Sequence, residues 1–426
     1  MAVSNADSLK SVCYSYPAID NHAHALLSPN NRSALPFEGL ISEAEGDALT
    51  QDAPHTLACF RATAALAKLY GVDESEATWD AVKAAREKIG YADLCKMCFG
   101  RESRIQCIFI DDGFGTRGLA AEYRWHDSLT QSPTKRLVRI EEVAQRIFPF
   151  HLNTVEYTLQ TVCNNFLEQL TEELQKSASD PEVVGFKSIA CYRTGLDIEL
   201  SCTPEDLQKD FFTAVIQYIT AKEVGDRSPF RLAEKHLNDH IVRVALGIAA
   251  ECNKPIQFHT GLGDSDIRLS LSSPSHMQPL IEAFPKTKFV LLHSSYPFTR
   301  EAGYLTAMYK NVFLDFGEVF PFVSADGQRS IIRQVLELAP TNKIMWSTDG
   351  HWWPESYYLG SVQARHALYE VLNDFVTRGE MTERQAISTV KNALFHNANR
   401  VYNLGLEPIL DGSGDRLAKL FKIISV

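Results

Sequence analysis

The run Asp20-Asn21-His22-Ala23-His24 follows a short apolar approach, Tyr16-Pro17-Ala18-Ile19, and sets two imidazoles two positions apart. On an extended strand such residues share a face, about 6.5 Å apart at a rise of about 3.3 Å per residue, so both rings can close on one cation. A helix would splay them. A lone His-x-His pair is weak evidence, because surface pairs of this spacing arise by chance and bind nothing. Its partners must come from elsewhere in the chain.

The elements that could supply them are short β-like runs. After the strand that ends near His22, such runs cover 104–110, 136–140, 183–190, 255–259, 288–293, 312–316 and 343–349, each followed by helical or loop sequence. Eight strands alternating with helices predict a parallel sheet closed into a (β/α)8 TIM-like barrel. Two stretches exceed the spacing such a barrel needs, and both carry apolar residues at helical intervals. The first predicts a helical cap inserted after strand 1, about 35–100. The second, about 204–250 between strands 4 and 5, reads as two long helices around a charged turn. With no internal repeat and no low-complexity segment, the reading is a single barrel domain over 1–426.

On this strand map the candidate ligands fall at one place. His22 and His24 close strand 1, Lys187 lies on strand 4, His259 closes strand 5, His293 closes strand 6 and Asp349 closes strand 8. The C-terminal strand rim is where barrel active sites lie. Singly, each has an ordinary explanation: a lysine reaching to solvent, or a hydrogen-bonded core histidine. Together, six ionisable residues on or ending apolar strands would each carry a burial cost unless paired or metal-bound. Neutral imidazoles suit zinc and related divalent ions, manganese and iron among them, while a carboxylate can bind metal and take a proton. A bound metal lowers the pKa of water to about 7. The expected chemistry is attack by metal-bound hydroxide, with Asp349 as general base and then acid.

Bulk properties narrow the class. The 426 residues are 45% hydrophobic, enough for a large core, and the formal charge is -11 with Lys and Arg scattered. That balance argues against nucleic acid and anionic membranes as partners. Neither a basic, apolar leader at residues 1–7 nor an uninterrupted apolar stretch of about 20 residues is present, so a cytoplasmic location is expected. Nine cysteines without regular spacing read as reduced thiols, and Cys95-Lys96-Met97-Cys98 as a buried helical pair.

The order His-x-His, Lys, His, His, Asp resembles the amidohydrolase superfamily of metal-dependent barrels, in its amidohydrolase 2 type. More narrowly, residues 18–24, Gly185-Phe186-Lys187-Ser188, Phe258-His259-Thr260-Gly261-Leu262-Gly263-Asp264, Trp346-Ser347-Thr348-Asp349-Gly350-His351 and Pro354-Glu355-Ser356-Tyr357-Tyr358-Leu359-Gly360 resemble the amidohydrolase half of nodulin/glutamine-synthetase-like fusion proteins of the fungal FluG type. The sequence ends at Val426 with no room for a glutamine synthetase half, so the expectation is a standalone chain or a fragment of a longer fusion. The resemblance implies metal-dependent hydrolysis of an amide-like, γ-glutamyl or other C–N bond of a small polar molecule. The same superfamily also holds decarboxylases and lactonases, and a third reading is a signalling protein that keeps the metal site without turnover; fold does not choose.

Lys187 decides the metal count. As a carbamate it presents two oxygens that bridge a pair of ions, with His22, His24, His259, His293 and Asp349 as the other ligands. With one ion, His22, His24, His259 and Asp349 suffice, His293 orients water, and Lys187 is free for substrate charge. The two-ion arrangement is the expectation. For the substrate, Arg193 after strand 4 is a bidentate partner for a carboxylate, and Asp264, His351 and Trp352 are further candidates for the pocket. A homodimer is also expected.

Overall fold

Ala18–Ala23 forms β1, buried at all six positions, in a computed structural model that describes residues 8–410 apart from 112, 114–117, 154–157 and 226–229. The other strands are β2 (Ile105–Asp111), β3 (Lys135–Arg139), β4 (Val183–Ser188), β5 (Ile256–Phe258), β6 (Phe289–Leu291), β7 (Val312–Asp315) and β8 (Ile344–Met345). They lie in one sheet in chain order, β1 to β8. The pairs β1–β2, β4–β5, β5–β6 and β7–β8 are parallel. This order, with helices in the connections, is the (β/α)8 barrel class that the strand spacing predicts. Strands buried on both faces need no polar alternation, which is why β2 reads as Ile-Gln-Cys-Ile-Phe-Ile-Asp and is buried throughout.

One strand is much shorter than its sequence run. Of 343–349, only Ile344 and Met345 remain in β8. Beyond them the backbone turns to other partners: the Thr348 N–H donates to the Asp20 carboxylate at 2.8 Å, and the Asp349 N–H donates to the His22 carbonyl at 3.0 Å. Asp349 itself has φ +51°, outside the extended region.

The chain forms two compact units. The first comprises the described parts of 1–136, 263–265 and 314–426. It opens with α1 (Leu9–Ser15) and contains the predicted cap as α2 (Leu57–Tyr70), α3 (Trp79–Glu87) and α4 (Tyr91–Cys98), joined by short 3-10 and π turns. Thr56 caps α2 by accepting from the Cys59 N–H, and Gly71 ends it at φ +73°, a conformation that costs glycine little. The cap is fastened by a buried ion pair. Arg86 Nε donates to Glu355 Oε1 at 2.5 Å, and Tyr70 Oη donates to the same oxygen at 2.7 Å. The Arg86 guanidinium also lies 4.7 Å from the centre of the Phe37 ring.

The second unit comprises the described parts of 137–262 and 266–313. Its helices include α5 (Ile140–Ile147), α6 (Leu159–Ser179), α7 (Pro204–Glu223) and α8 (Lys235–Glu251). Val162, Phe166, Leu170 and Leu174 give α6 a buried stripe at helical spacing. The predicted second insertion is the α7–α8 pair, and 226–229 of its charged turn lie outside the described residues, as do 1–7. Cys95 and Cys98 are buried on α4, and all nine cysteines are free thiols. Among the described residues no helix is long and apolar enough to cross a membrane.

Candidate metal centre

The His-x-His pair and Asp349 meet in the first unit. His22 Nε2 lies 3.1 Å and His24 Nε2 3.2 Å from one and the same oxygen, Asp349 Oδ1. The two rings stand nearly perpendicular with centroids 5.0 Å apart. All three side chains are buried, and their candidate ligand atoms lie within 4.8 Å of one another. Two imidazole nitrogens and a carboxylate oxygen converging in a buried space form the donor set that divalent transition ions take, so the residues present fit a metal.

What holds this trio is a buried polar network at the strand ends. Asp20, fully buried, accepts from both the N–H and the hydroxyl of Thr348, the residue before Asp349. Burial pushes its carboxyl well above the usual range, against the pull of those Thr348 bonds. Asn21 donates to Asp315 Oδ2 at 2.7 Å and to the Trp346 carbonyl at 2.6 Å, while Ser347 donates to Asp315 Oδ1 at 2.8 Å. Every polar residue of the stretch from Asp20 to His22 thus acts on the segment that carries Asp349. Glycine is required in that segment, because a Cβ at Gly350 would stand 2.7 Å from the Tyr357 ring and 2.8 Å from Thr348 Oγ1.

Three acidic residues join this neighbourhood that strand-end reasoning did not select. Asp111, the last residue of β2 and fully buried, places Oδ2 4.0 Å from His24 Nδ1, the ring nitrogen opposite the one that faces Asp349. A carboxylate behind a ligating imidazole is a common way to fix its tautomer. Glu318, three residues past β7 and buried at φ +61°, brings a carboxylate oxygen within 4.8 Å of the Asp349 ligand atom. Burial pushes the Glu43 carboxyl up to about 7, against the pull of His351 and with the added push of Asp349 and Asp264. Asp111 was readable as a strand-end acid. Glu318 and Glu43 had no spacing signal.

The remaining first-unit candidates have defined places. His351 is buried, with Nδ1 2.9 Å from the Asp349 carbonyl and Nε2 3.4 Å from the Gly39 carbonyl, so it braces the turn after β8 against the cap segment. Trp352 is half-buried at φ +53° and its carbonyl accepts from the Leu27 N–H at 2.9 Å. Asp264 is half-buried, and the hydroxyl of the next residue, Ser265, donates to Glu45 at 2.8 Å. Glu355, by contrast, sits under the cap as the partner of Arg86.

In the second unit, His259 and His293 come together: their rings are 4.3 Å apart, and the Tyr192 ring lies 4.4 Å from His259. His259 Nε2 is 2.6 Å from the Leu262 carbonyl, which makes it the protonated nitrogen and leaves Nδ1 as the atom able to bind an ion. His293, Ser294 and Ser295 are three consecutive residues at positive φ just beyond β6. Such a run is unfavourable in ordinary loops and is characteristic of functional sites. Lys187 is buried on β4 between Phe186 and Ser188. Arg193 follows that strand and donates weakly, at 3.4 Å, to Gln145 Oε1.

The barrel class and a histidine–aspartate trio at its strand ends are those of the metal-dependent barrels of the amidohydrolase superfamily. The amidohydrolase family model matches residues 159–404, and this chain belongs to that family. It is 41% identical over 425 residues to protein fluG of Emericella nidulans, which covers 95% of this chain and 48% of that protein. The chain therefore spans about half the length of this curated relative. Among solved structures, a candidate metal-dependent hydrolase of Lactobacillus casei is 26% identical, with a TM-score of 0.76 over 93% of this chain and 98% of its own. The uronate isomerase of Thermotoga maritima, at 11% identity, has a TM-score of 0.60 over 92% and 96% of the two chains and shares the fold.

Proposed function

We propose that this protein is a metal-dependent hydrolase that cleaves an amide, γ-glutamyl-like or other C–N bond in a small polar substrate. The observation that carries this reading is the single Asp349 oxygen shared by His22 and His24 in a buried setting, in a chain of the amidohydrolase family. A bound divalent ion, zinc in the simplest case, supplies a Lewis acid that acidifies water and polarises a carbonyl.

The chain's own residues do the rest. His22 and His24 present Nε2, and the Asp111 carboxylate lies 4.0 Å behind His24 Nδ1, where it offers that ring a counter-charge. The Asp349 carboxylate takes a proton from attacking water and returns it to the departing nitrogen, general base and then general acid. For His259, His293 and Lys187 of the second unit we propose the ligand roles that the superfamily's strand-end order implies, since (β/α)8 enzymes draw catalytic residues from several strand ends. A carbamylated Lys187 would supply oxygen ligands for a second ion and Arg193 would receive an acidic group of the substrate; Asp264 and Trp352 are the proposed substrate contacts of the first unit.

The test is turnover of a panel of γ-glutamyl amides and N-acyl amino acids by zinc-loaded protein in ¹⁸O-water. Hydrolysis puts one labelled oxygen into the acid product, and Asp349→Asn lowers kcat by about 10²–10⁴. Release of carbon dioxide without label would replace this reading with decarboxylation. A metal analysis of one ion per chain would remove the bridging role of Lys187.

A further inference from the structure

The second unit holds a cavity of about 360 Å³ lined by Tyr192, Arg193, Arg231, Asp266 and Arg268, among others. Tyr192 forms one wall, and its ring packs 4.4 Å from His259. One wall residue of the cavity thus also packs on a candidate metal ligand. In a protein of net charge -11, three guanidiniums in one small cavity are a concentration of the minority charge.

Their partners are few. Arg231 pairs with Asp266 at 2.5 Å and donates to the Tyr192 carbonyl at 3.2 Å. Arg193 has only the long 3.4 Å bond to Gln145, and its buried Nε finds no acceptor among the described residues. No ion pair of Arg268 occurs among the described residues. Among the lining residues three guanidiniums meet one carboxylate, Asp266, while Glu141 and Glu142 offset part of the Arg193 charge from outside the lining. A buried guanidinium nitrogen without an acceptor carries a free-energy penalty that an oxyanion would remove. Burial, followed by the repulsion of Arg231, lowers Arg193 to about 10, the direction expected of a cation waiting for a counter-charge.

We propose that this cavity is the subsite for a doubly charged acidic end of the substrate, a dicarboxylate or a phosphoryl group held by Arg193 and Arg268, with Arg231 positioned by Asp266. The inference rests on the reading of the protein as acting on a small polar substrate, and it narrows that class to molecules with a dianionic tail. Guanidinium forks match both oxyanion types bidentately.

The experiment is isothermal titration of the zinc-loaded protein with malonate, inorganic phosphate and acetate at constant ionic strength. Malonate or phosphate is expected to bind at least about tenfold more tightly than acetate, a difference of about 1.4 kcal/mol, and whichever binds more tightly names the tail. Arg268→Gln is expected to weaken that binding at least fivefold and Arg268→Lys to restore part of it; Arg268 is exposed, so neither change threatens the fold. His22→Asn, which disables the candidate metal trio, is expected to leave it unchanged. Equal affinity for acetate, indifference to Arg268→Gln, or loss of binding in His22→Asn would each overturn the subsite. Anion binding that passes all three in a protein that hydrolyses nothing would leave the subsite standing and sink the hydrolase reading instead.

Discussion

Asp20 holds Thr348 by two hydrogen bonds, to its backbone N–H and to its hydroxyl, although 328 positions separate them. Since Thr348 precedes Asp349, a strand-1 carboxylate sets the position of the candidate strand-8 ligand. Asp20→Ala would leave a buried N–H and hydroxyl without acceptors, at a cost of about 1–3 kcal/mol each before relaxation. The expected outcome is a lower urea midpoint and weaker zinc binding in the refolded variant. Unchanged zinc affinity would reduce Asp20 to a purely structural role.

The Asp111 carboxylate stands 4.0 Å behind His24 Nδ1. Replacing Asp111 with Ala removes the carboxylate that faces His24 Nδ1 while leaving both imidazoles and Asp349 in place. Zinc affinity, measured by competition with a chromophoric chelator, is expected to fall about 10–100-fold. An affinity equal to that of the unaltered protein would mean that His24 is oriented by its strand alone.

The Arg86–Glu355 pair joins the cap to the helix that follows β8. Both side chains are buried, so Arg86→Met strands a carboxylate and is expected to cost about 3–5 kcal/mol. The double variant Arg86→Met with Glu355→Leu should recover most of that loss, because no charge is then left buried. Urea unfolding of the two variants tests this. Similar losses in both would mean that cap packing, and not the charge, is what matters.

His126 ties down the chain just beyond the His-x-His pair. Its Nε2 accepts from the Leu26 N–H at 3.0 Å, and Nδ1 faces the carbonyls of Glu122 and Tyr123. Burial lowers its pKa from 6.5 to about 4. An unfolded chain takes the proton below 6.5 and the folded one only near 4, so this contribution to stability is full above pH 6.5 and is lost as pH falls between those values. At about 1.4 kcal/mol per pH unit the whole loss approaches about 3 kcal/mol, of which about 2 is gone by pH 5. Comparing urea midpoints at pH 7.5 and 5 with those of His126→Gln should show a smaller acid-induced fall in the variant.

Much of the fold and part of the site were legible in the sequence because they depend on local patterns. Apolar runs bounded by turns gave all eight strands, and His22, His24 and Asp349 were found by asking which ionisable residues end them. Residues whose role depends on distant partners were not legible. Nothing near Glu355 in the sequence marks its role, because its partner Arg86 lies 269 positions away. Glu318 is brought towards Asp349 by an irregular, left-handed backbone after Gly317, which strand periodicity does not encode. The brevity of β8 has the same origin, since Thr348 and Asp349 exchange ladder bonds for partners on strand 1.

The nine thiols, none of them in a disulfide, give the molecule a built-in gauge of its own integrity. Seven are buried and two, Cys202 and Cys252, are half-buried. Burial holds Cys13, Cys95 and Cys107 near 12, so little of their reactive thiolate exists at neutral pH. Alkylation read by mass would thus begin at Cys202 and Cys252 and reach the interior set only as the barrel opens, timing its unfolding without any added label.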